Sequence, residues 1–247
     1  MKLSMFILLL QLTFIAPTFA STANPDQPTY THCTFFKETE GLRHVVDDLI
    51  EEISLRSNLT FKNINAPIKR CIQMMVAGDV DFIASLRVDA YTTKHMTFLF
   101  VSDGMSKVIF FTRKSDGNWL NNYADLQGKY IGTITGFGYF DKFDQDELVK
   151  KFNVSNSKQL PMMLKAGRID AYATYSGLID SAEENPDLSK APYSFAVKMS
   201  MLAIGKNSPL QSQNSLLKGA VGSILADGTM NKYMQKYLPG YNPPAAE

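Results

Sequence analysis

The stretch that most constrains this chain is Leu160-Pro-Met-Met-Leu-Lys-Ala-Gly-Arg-Ile-Asp-Ala-Tyr-Ala-Thr-Tyr175. It reads as a helix that runs to Ala166, stops at Gly167 and gives way to a short buried strand, Ile169 to Ala173. Glycine suits the stop, because the residue after a helix often takes a left-handed conformation that costs a residue with a Cβ. The same grammar occurs at Met74-Met-Val-Ala-Gly-Asp-Val-Asp-Phe82, which shares Met, Ala, Gly and Asp at equal spacing with Met163-Leu-Lys-Ala-Gly-Arg-Ile-Asp-Ala171. The copies lie about ninety residues apart, too far for a solenoid repeat. Two α/β lobes, each with its own helix-Gly-x-x-Asp-strand unit, account for the pair.

The order helix, Gly167-Arg-Ile-Asp-Ala171, strand resembles the second lobe of the periplasmic solute-binding proteins of the polar amino-acid ABC-transporter type, family 3. Ala124-Asp-Leu-Gln-Gly-Lys-Tyr-Ile-Gly132, then Thr135-Gly136, then Leu225-Ala-Asp-Gly-Thr-Met-Asn-Lys-Tyr233 follow in that family's order. The resemblance covers residues 65 to 238. It implies an α/β, two-lobed, type II periplasmic binding protein-like fold with two crossing strands between the lobes. Residues 21–108 and 201–240 would form the first lobe and 109–200 the second, with residues 241–247 as a loose tail. The crossings are expected near 108–113 and 198–203, linking two separate sheets.

Composition agrees with such a chain. The 247 residues are 45% hydrophobic, enough for one large core or two moderate ones, and the net charge is +1. With no basic run, nucleic acid is not expected as a partner. Residues 1 to 20 read as a cleaved signal peptide: Lys2, an apolar run Leu3 to Ile15, and a small-residue site at Thr18-Phe-Ala20. That run is short for a bilayer span, and no later segment is apolar enough, so a periplasmic mature chain without membrane insertion is expected. In an oxidising compartment Cys33 and Cys71 read as a disulfide, the alternative being two buried free thiols. No His or Cys pair has metal-ligand spacing, and no cofactor is expected.

Local patterns place the elements. Leu42, Val45, Val46, Leu49, Ile50 and Ile53 share one helical face, opposite Asp47, Asp48, Glu51 and Glu52, which read as solvated. Ile68, Cys71, Ile72, Met75 and Val76 make the inner face of the next helix. Strands are expected at 30–36, 59–64, 80–84, 98–101, 107–112 and 130–134, and an extended segment at 193–204. Further helices are expected at 147–152, 177–184, 208–226 and 230–237.

Catalytic motifs are thin. Gly136-Phe-Gly138 lacks the third glycine of a dinucleotide fingerprint, and there is no Gly-x-Ser-x-Gly elbow. A cleft between lobes is the better place for a site. In the resembled family, the loop from Ser85 through Arg87 and Asp89 to Lys94 supplies polar groups and an arginine that clasps a ligand carboxylate. Arg87 and Lys94 both compete for that role here. The loop at Thr135-Gly136-Phe137-Gly138-Tyr139 is expected to present backbone N–H groups and aromatic surface. Thr174-Tyr175 follows, with Tyr175 where the family's amino-acid binders carry an aspartate for the ligand's ammonium. Phe36, Tyr91 and Trp119 are further cleft aromatics.

The resemblance thus implies a monomeric extracytoplasmic binding protein that captures a small polar or ring-bearing ligand by hinge closure. It would present that ligand to an inner-membrane ABC permease or a sensor receptor. A ligand with an acidic or hydrogen-bond-accepting group is expected. The alternative is a cleft enzyme on the same scaffold, like cyclohexadienyl dehydratase, with Asp89 as general acid.

Overall fold

The computed structural model describes residues 28–36, 41–176, 185–238 and 241, with the backbone alone at 103–105. The expected signal peptide, the helix at 177–184 and nearly all of the tail lie outside these residues. The chain order is β1 (Thr29–Thr34), α1 (Gly41–Ser57), β2 (Thr60–Asn65), α2 (Ile68–Ala77), β3 (Phe82–Arg87), α3 (Ala90–His95) and β4 (Met96–Arg113). It continues with β5 (Tyr130–Ile134), α4 (Asp141–Gln145), β6 (Lys150–Val154), α5 (Gln159–Lys165), β7 (Ala171–Tyr175), β8 (Leu188–Gly205), α6 (Asn214–Ala226) and α7 (Thr229–Tyr237).

The strands lie in the order β2-β1-β3-β8-β4-β7-β5-β6. β1 pairs in parallel with β2 and β3, and β5 in parallel with β6 and β7. β8 runs antiparallel to β3, and β4 antiparallel to β7. Each half therefore has the same layout, three parallel strands and then an antiparallel one, and the halves meet at β4 and β8. Four apolar clusters divide the same way. Two sit on either face of the first lobe, around Leu49 and Val221 and around Ile83 and Met75. The other two flank the second lobe, around Phe143 and Leu126 and around Ile169 and Leu164. The fold is the two-lobed, type II periplasmic binding protein arrangement, with two strands crossing between lobes.

The repeated sequence unit is a repeated structure. Gly78 and Gly167 take φ of 91° and 68°. Past each glycine the chain closes the same way: Asp79 N–H donates to Met74 O at 2.8 Å, and Arg168 N–H to Met163 O at 3.0 Å. The aspartates then clamp the neighbouring strand. Asp81 Oδ2 accepts from Thr31 N–H at 2.6 Å on β1, and Asp170 Oδ2 from Tyr130 N–H at 2.8 Å on β5. Asp81 also accepts from Ser208 Oγ, which holds the entry to the C-terminal helices.

Three expectations are corrected. The segments read as separate strands at 98–101 and 107–112 are one eighteen-residue strand, β4, and β8 is equally long. Because these two pair along most of their length, hydrogen bonds join all eight strands into one sheet rather than two. Along this pairing the register breaks between Ser102 and Ser106, opposite 197–199, and again between Ile109 and Phe111. Second, the helix expected at 147–152 is instead β6, an edge strand whose Lys150–Val154 pairs residue for residue with β5. Third, the acidic face of α1 is not simply solvated. Asp48 accepts from Tyr237 and pairs with Lys236, while Glu52 accepts from Tyr233 and Arg56, so this face docks α7.

Cys33 on β1 and Cys71 on α2 form a disulfide, with Cα atoms 5.6 Å apart. It ties the sheet of the first lobe to the helix that covers it.

Candidate functional site

A cavity of about 760 Å³ opens between the lobes. Its first-lobe wall comes from the C-terminal ends of β1 and β3. Phe35 and Phe36 follow β1, and Ser85 and Arg87 close β3. Asp89 then caps α3: its carboxylate accepts from Thr92 N–H at 2.8 Å while its own N–H donates to Thr92 Oγ1 at 2.9 Å. The second-lobe wall comes from the loop after β5, with Gly136, Phe137, Gly138 and Tyr139, and from Tyr175 at the end of β7. Gly136 needs its φ of 89°, and its α-carbon faces Ile68 of the first lobe so closely that a Cβ would lie 3.3 Å from that side chain.

The lobes touch through an aromatic row and an ion-pair cluster. Phe35 lies against Phe36 with ring centroids 4.3 Å apart and planes tilted by 33°, and Phe137 meets Phe35 edge-on at 6.0 Å. Tyr175 follows at 6.4 Å from Phe137, and Tyr139 lies parallel to Tyr175 at 5.8 Å. Phe137 packs against the cores of both lobes. Beside the row, the Arg87 guanidinium holds three carboxylates: Asp89 at 2.9 Å, Asp141 at 3.1 Å and Asp144 at 3.5 Å. Asp89 belongs to its own lobe, whereas Asp141 and Asp144 lie on α4 of the other. Gly138 makes room for this cluster, since a Cβ there would sit 3.0 Å from Arg87 Nη2.

The electrostatics follow from burial. Desolvation raises the Asp144 carboxyl above its usual range, opposed by the Tyr139 N–H bonded to both its oxygens and by Arg87. Tyr175 is pushed well up by burial, so its hydroxyl stays protonated and donates to Gly138 O. Tyr139 shifts the same way, and its oxygen accepts from Ile134 N–H at 2.9 Å.

Eight of the ten expected ligand residues converge on this cavity: Phe36, Ser85, Arg87, Asp89, Gly136, Phe137, Tyr139 and Tyr175. Two of these, Phe36 and Tyr139, have rings that are mostly core, at 5% and 1% exposure. Lys94 lies exposed in the last turn of α3, and Thr174 is buried in β7; neither lines the cavity. Tyr91 lines it, while Trp119 packs on the second-lobe core under Lys129. Sequence reasoning missed Phe35, Phe100, Asp144 and the methionines Met199, Met201, Met230 and Met234. Only Phe35 carried a signal, as the immediate neighbour of Phe36 at the end of the expected first strand.

Arg87 is thus placed in the cleft, where its two terminal nitrogens already meet protein carboxylates. Among the described residues, no group of three or more His, Cys, Asp or Glu is placed to hold a metal ion. No helix among them is long and apolar enough to cross a membrane.

Solved structures share this architecture. A mutant of ArgBP from T. maritima superimposes with a TM-score of 0.69 at 16% identity, covering 85% of this chain and 94% of that one. The GluR0 ligand-binding core from Nostoc punctiforme, in complex with L-glutamate, gives 0.69 at 15% identity, covering 85% and 98%. An amino acid ABC transporter substrate-binding protein from Streptococcus pneumoniae, bound to L-arginine, gives 0.68 at 15%, covering 85% and 93%. At such identities the likeness establishes the fold and leaves the ligand open. No protein-family model matches the chain, and no curated protein matches it.

Proposed function

We propose that this chain is an extracytoplasmic solute-binding protein that captures a small polar or ring-bearing molecule between its lobes and closes around it. The observation that carries this reading is the cavity itself: it is walled by both lobes, at strand ends, where the crossing strands permit a hinge. The solved neighbours with this fold are named as amino-acid-binding proteins of ABC transporters and a glutamate-binding core. A ligand that bridges the lobes favours the closed state over the open one by its differential contacts. The closed form would then be read by an inner-membrane permease or a sensor. The disulfide supports export, since such bridges persist in oxidising compartments. The lobes are assigned as residues 21–108 with 201–240, and 109–200, behind a signal peptide at 1–20.

The competing enzyme reading needs a general acid in the cleft. Asp89 is a poor one, because its carboxylate already caps α3 and pairs with Arg87. Capture is favoured. Mass spectrometry of small molecules released on denaturing the exported protein should show one species near one-to-one stoichiometry. Release of nothing, together with turnover of a ring-bearing acid by the purified protein, would favour the enzyme instead.

A further inference from the structure

We infer that the ligand is an uncharged, predominantly apolar molecule; this rests on the solute-capture reading and names the class of ligand for that site. The charges in the cleft meet mostly within the protein. Lys69, Arg87 and Lys151 line the cavity with Asp89 and Asp144, Lys69 being solvent-exposed, and the exposed Asp141 pairs with Arg87 from outside the lining. Arg87 is surrounded by Asp89, Asp141 and Asp144, and Lys151 Nζ donates to Asp146 O at 2.6 Å. A ligand carboxylate must displace a protein carboxylate from Arg87, and a ligand ammonium must displace Arg87 from its acids. Either exchange strips a half-buried charge of its partner, which is unfavourable. A zwitterion meets both obstacles.

The walls point the same way. Ser85 and Phe100 have φ of 56° and 54°, left-handed values that are rare for residues with a Cβ. They sit at one level on either side of Met201. Ala84 and Leu86 of β3 pair with Leu202 and Ser200 of β8, and Leu99 and Val101 of β4 pair with the same two residues. Both strands flanking β8 thus depart from extended geometry at the same rung, and Phe100, Ser85 and Met201 all face the cavity there. Non-glycine residues in such conformations concentrate at ligand sites. Beyond this rung the wall is formed by Leu42, Met230 and Met234. Flexible thioethers adapt to irregular apolar bodies. At about 760 Å³ the cavity falls in the range that encloses drug-sized ligands, about 300–1,000 Å³. The hydroxyls of Ser85, Ser102 and Ser106 line it and suit a ligand hydroxyl or carbonyl.

Three probes with one body and different charge test the proposal: phenylbutanol, phenylbutyrate and phenylbutylamine, titrated calorimetrically into the exported protein at neutral pH. The alcohol should bind at least about tenfold more tightly than either charged analogue. Equal or tighter binding of the acid or the amine overturns the ligand class while leaving solute capture standing. Binding of none of the three also overturns it, and solute capture itself falls only if the denatured protein releases no small molecule. Phe100→Gly supplies the second arm. It removes the ring and relieves the left-handed backbone, so folding, followed by Tm, should survive while affinity for the alcohol drops about tenfold. Unchanged affinity in this variant overturns the placement of the apolar body.

Discussion

His32 shows how one residue can set the acid sensitivity of the first lobe. It lies on β1, fully buried and stacked on Phe82 with ring centroids 4.8 Å apart. Asn63 Oδ1, 3.0 Å from Nδ1, can only accept, so Nδ1 carries the proton and Nε2 is left without a partner. Burial lowers its pKa from 6.5 to about 4, against a smaller opposing effect of the Asn63 bond. The unfolded chain takes up a proton near pH 6.5, whereas the folded chain resists until about pH 4. The stability tied to neutral His32 is therefore complete above pH 6.5 and is lost as pH falls towards 4, roughly 3 kcal/mol in all. Urea denaturation across this window should show that decline in the native protein and a flatter curve in His32→Phe. Parallel curves would show that other groups cause the acid sensitivity. Gly132 makes a steric prediction, since a Cβ there would lie 2.6 Å from Ile169 Cδ1 and 2.7 Å from Leu160 Cδ2. Gly132→Ala should lower stability by about 1–3 kcal/mol, read as a drop in denaturation midpoint at unchanged slope.

At the scale of elements, the helix-glycine-aspartate-strand unit does the same work twice. Its left-handed glycine ends the helix, and its aspartate fixes the adjacent parallel strand. Asp81 holds both Thr31 N–H and Ser208 Oγ, while among the described residues the Asp170 carboxylate accepts from Tyr130 N–H. Asp81→Ala should therefore cost more than Asp170→Ala, about 2–4 against about 1–2 kcal/mol, by chemical denaturation. The disulfide joins another pair of elements, β1 and α2, across a sequence separation of 38. Replacing both cysteines with alanine should lower stability by about 3–4 kcal/mol on the chain-entropy view. In the exported protein, no thiol should react with an alkylating reagent until a reductant is added.

For the whole molecule, the decisive contacts run between lobes. Arg87 joins β3 to α4 through Asp141 and Asp144, and Phe137 packs on both cores. Asp141 is more than half exposed and contributes little; Asp144, less exposed and bonded to Tyr139 N–H, contributes more. Arg87→Met should weaken closure and enlarge the radius of gyration of the ligand-free protein in small-angle X-ray scattering. The same change should follow from raised salt to a smaller extent. An unaltered radius in Arg87→Met would show that the aromatic row alone keeps the lobes together.

The local sequence already determined the parts governed by nearest neighbours. Gly78, Gly167 and Gly228 are helix stops because only a left-handed residue fits there, and the apolar face of α1 is written in its spacing. Cys33 and Cys71 were readable as a pair because they are the only cysteines. Tertiary structure decided what depends on distant partners. Lys150–Val154 is a strand because β5 offers it an edge, although its own residues do not exclude a helix. β4 and β8 merge the two sheets because their pairing continues on both sides of the crossing. Arg87 was legible as a cleft residue from its place at the end of β3, but its partners on α4 lie more than fifty residues away in the chain. Whether that charge meets a ligand or the opposite lobe depends on how the lobes close, a long-range property that no local pattern encodes.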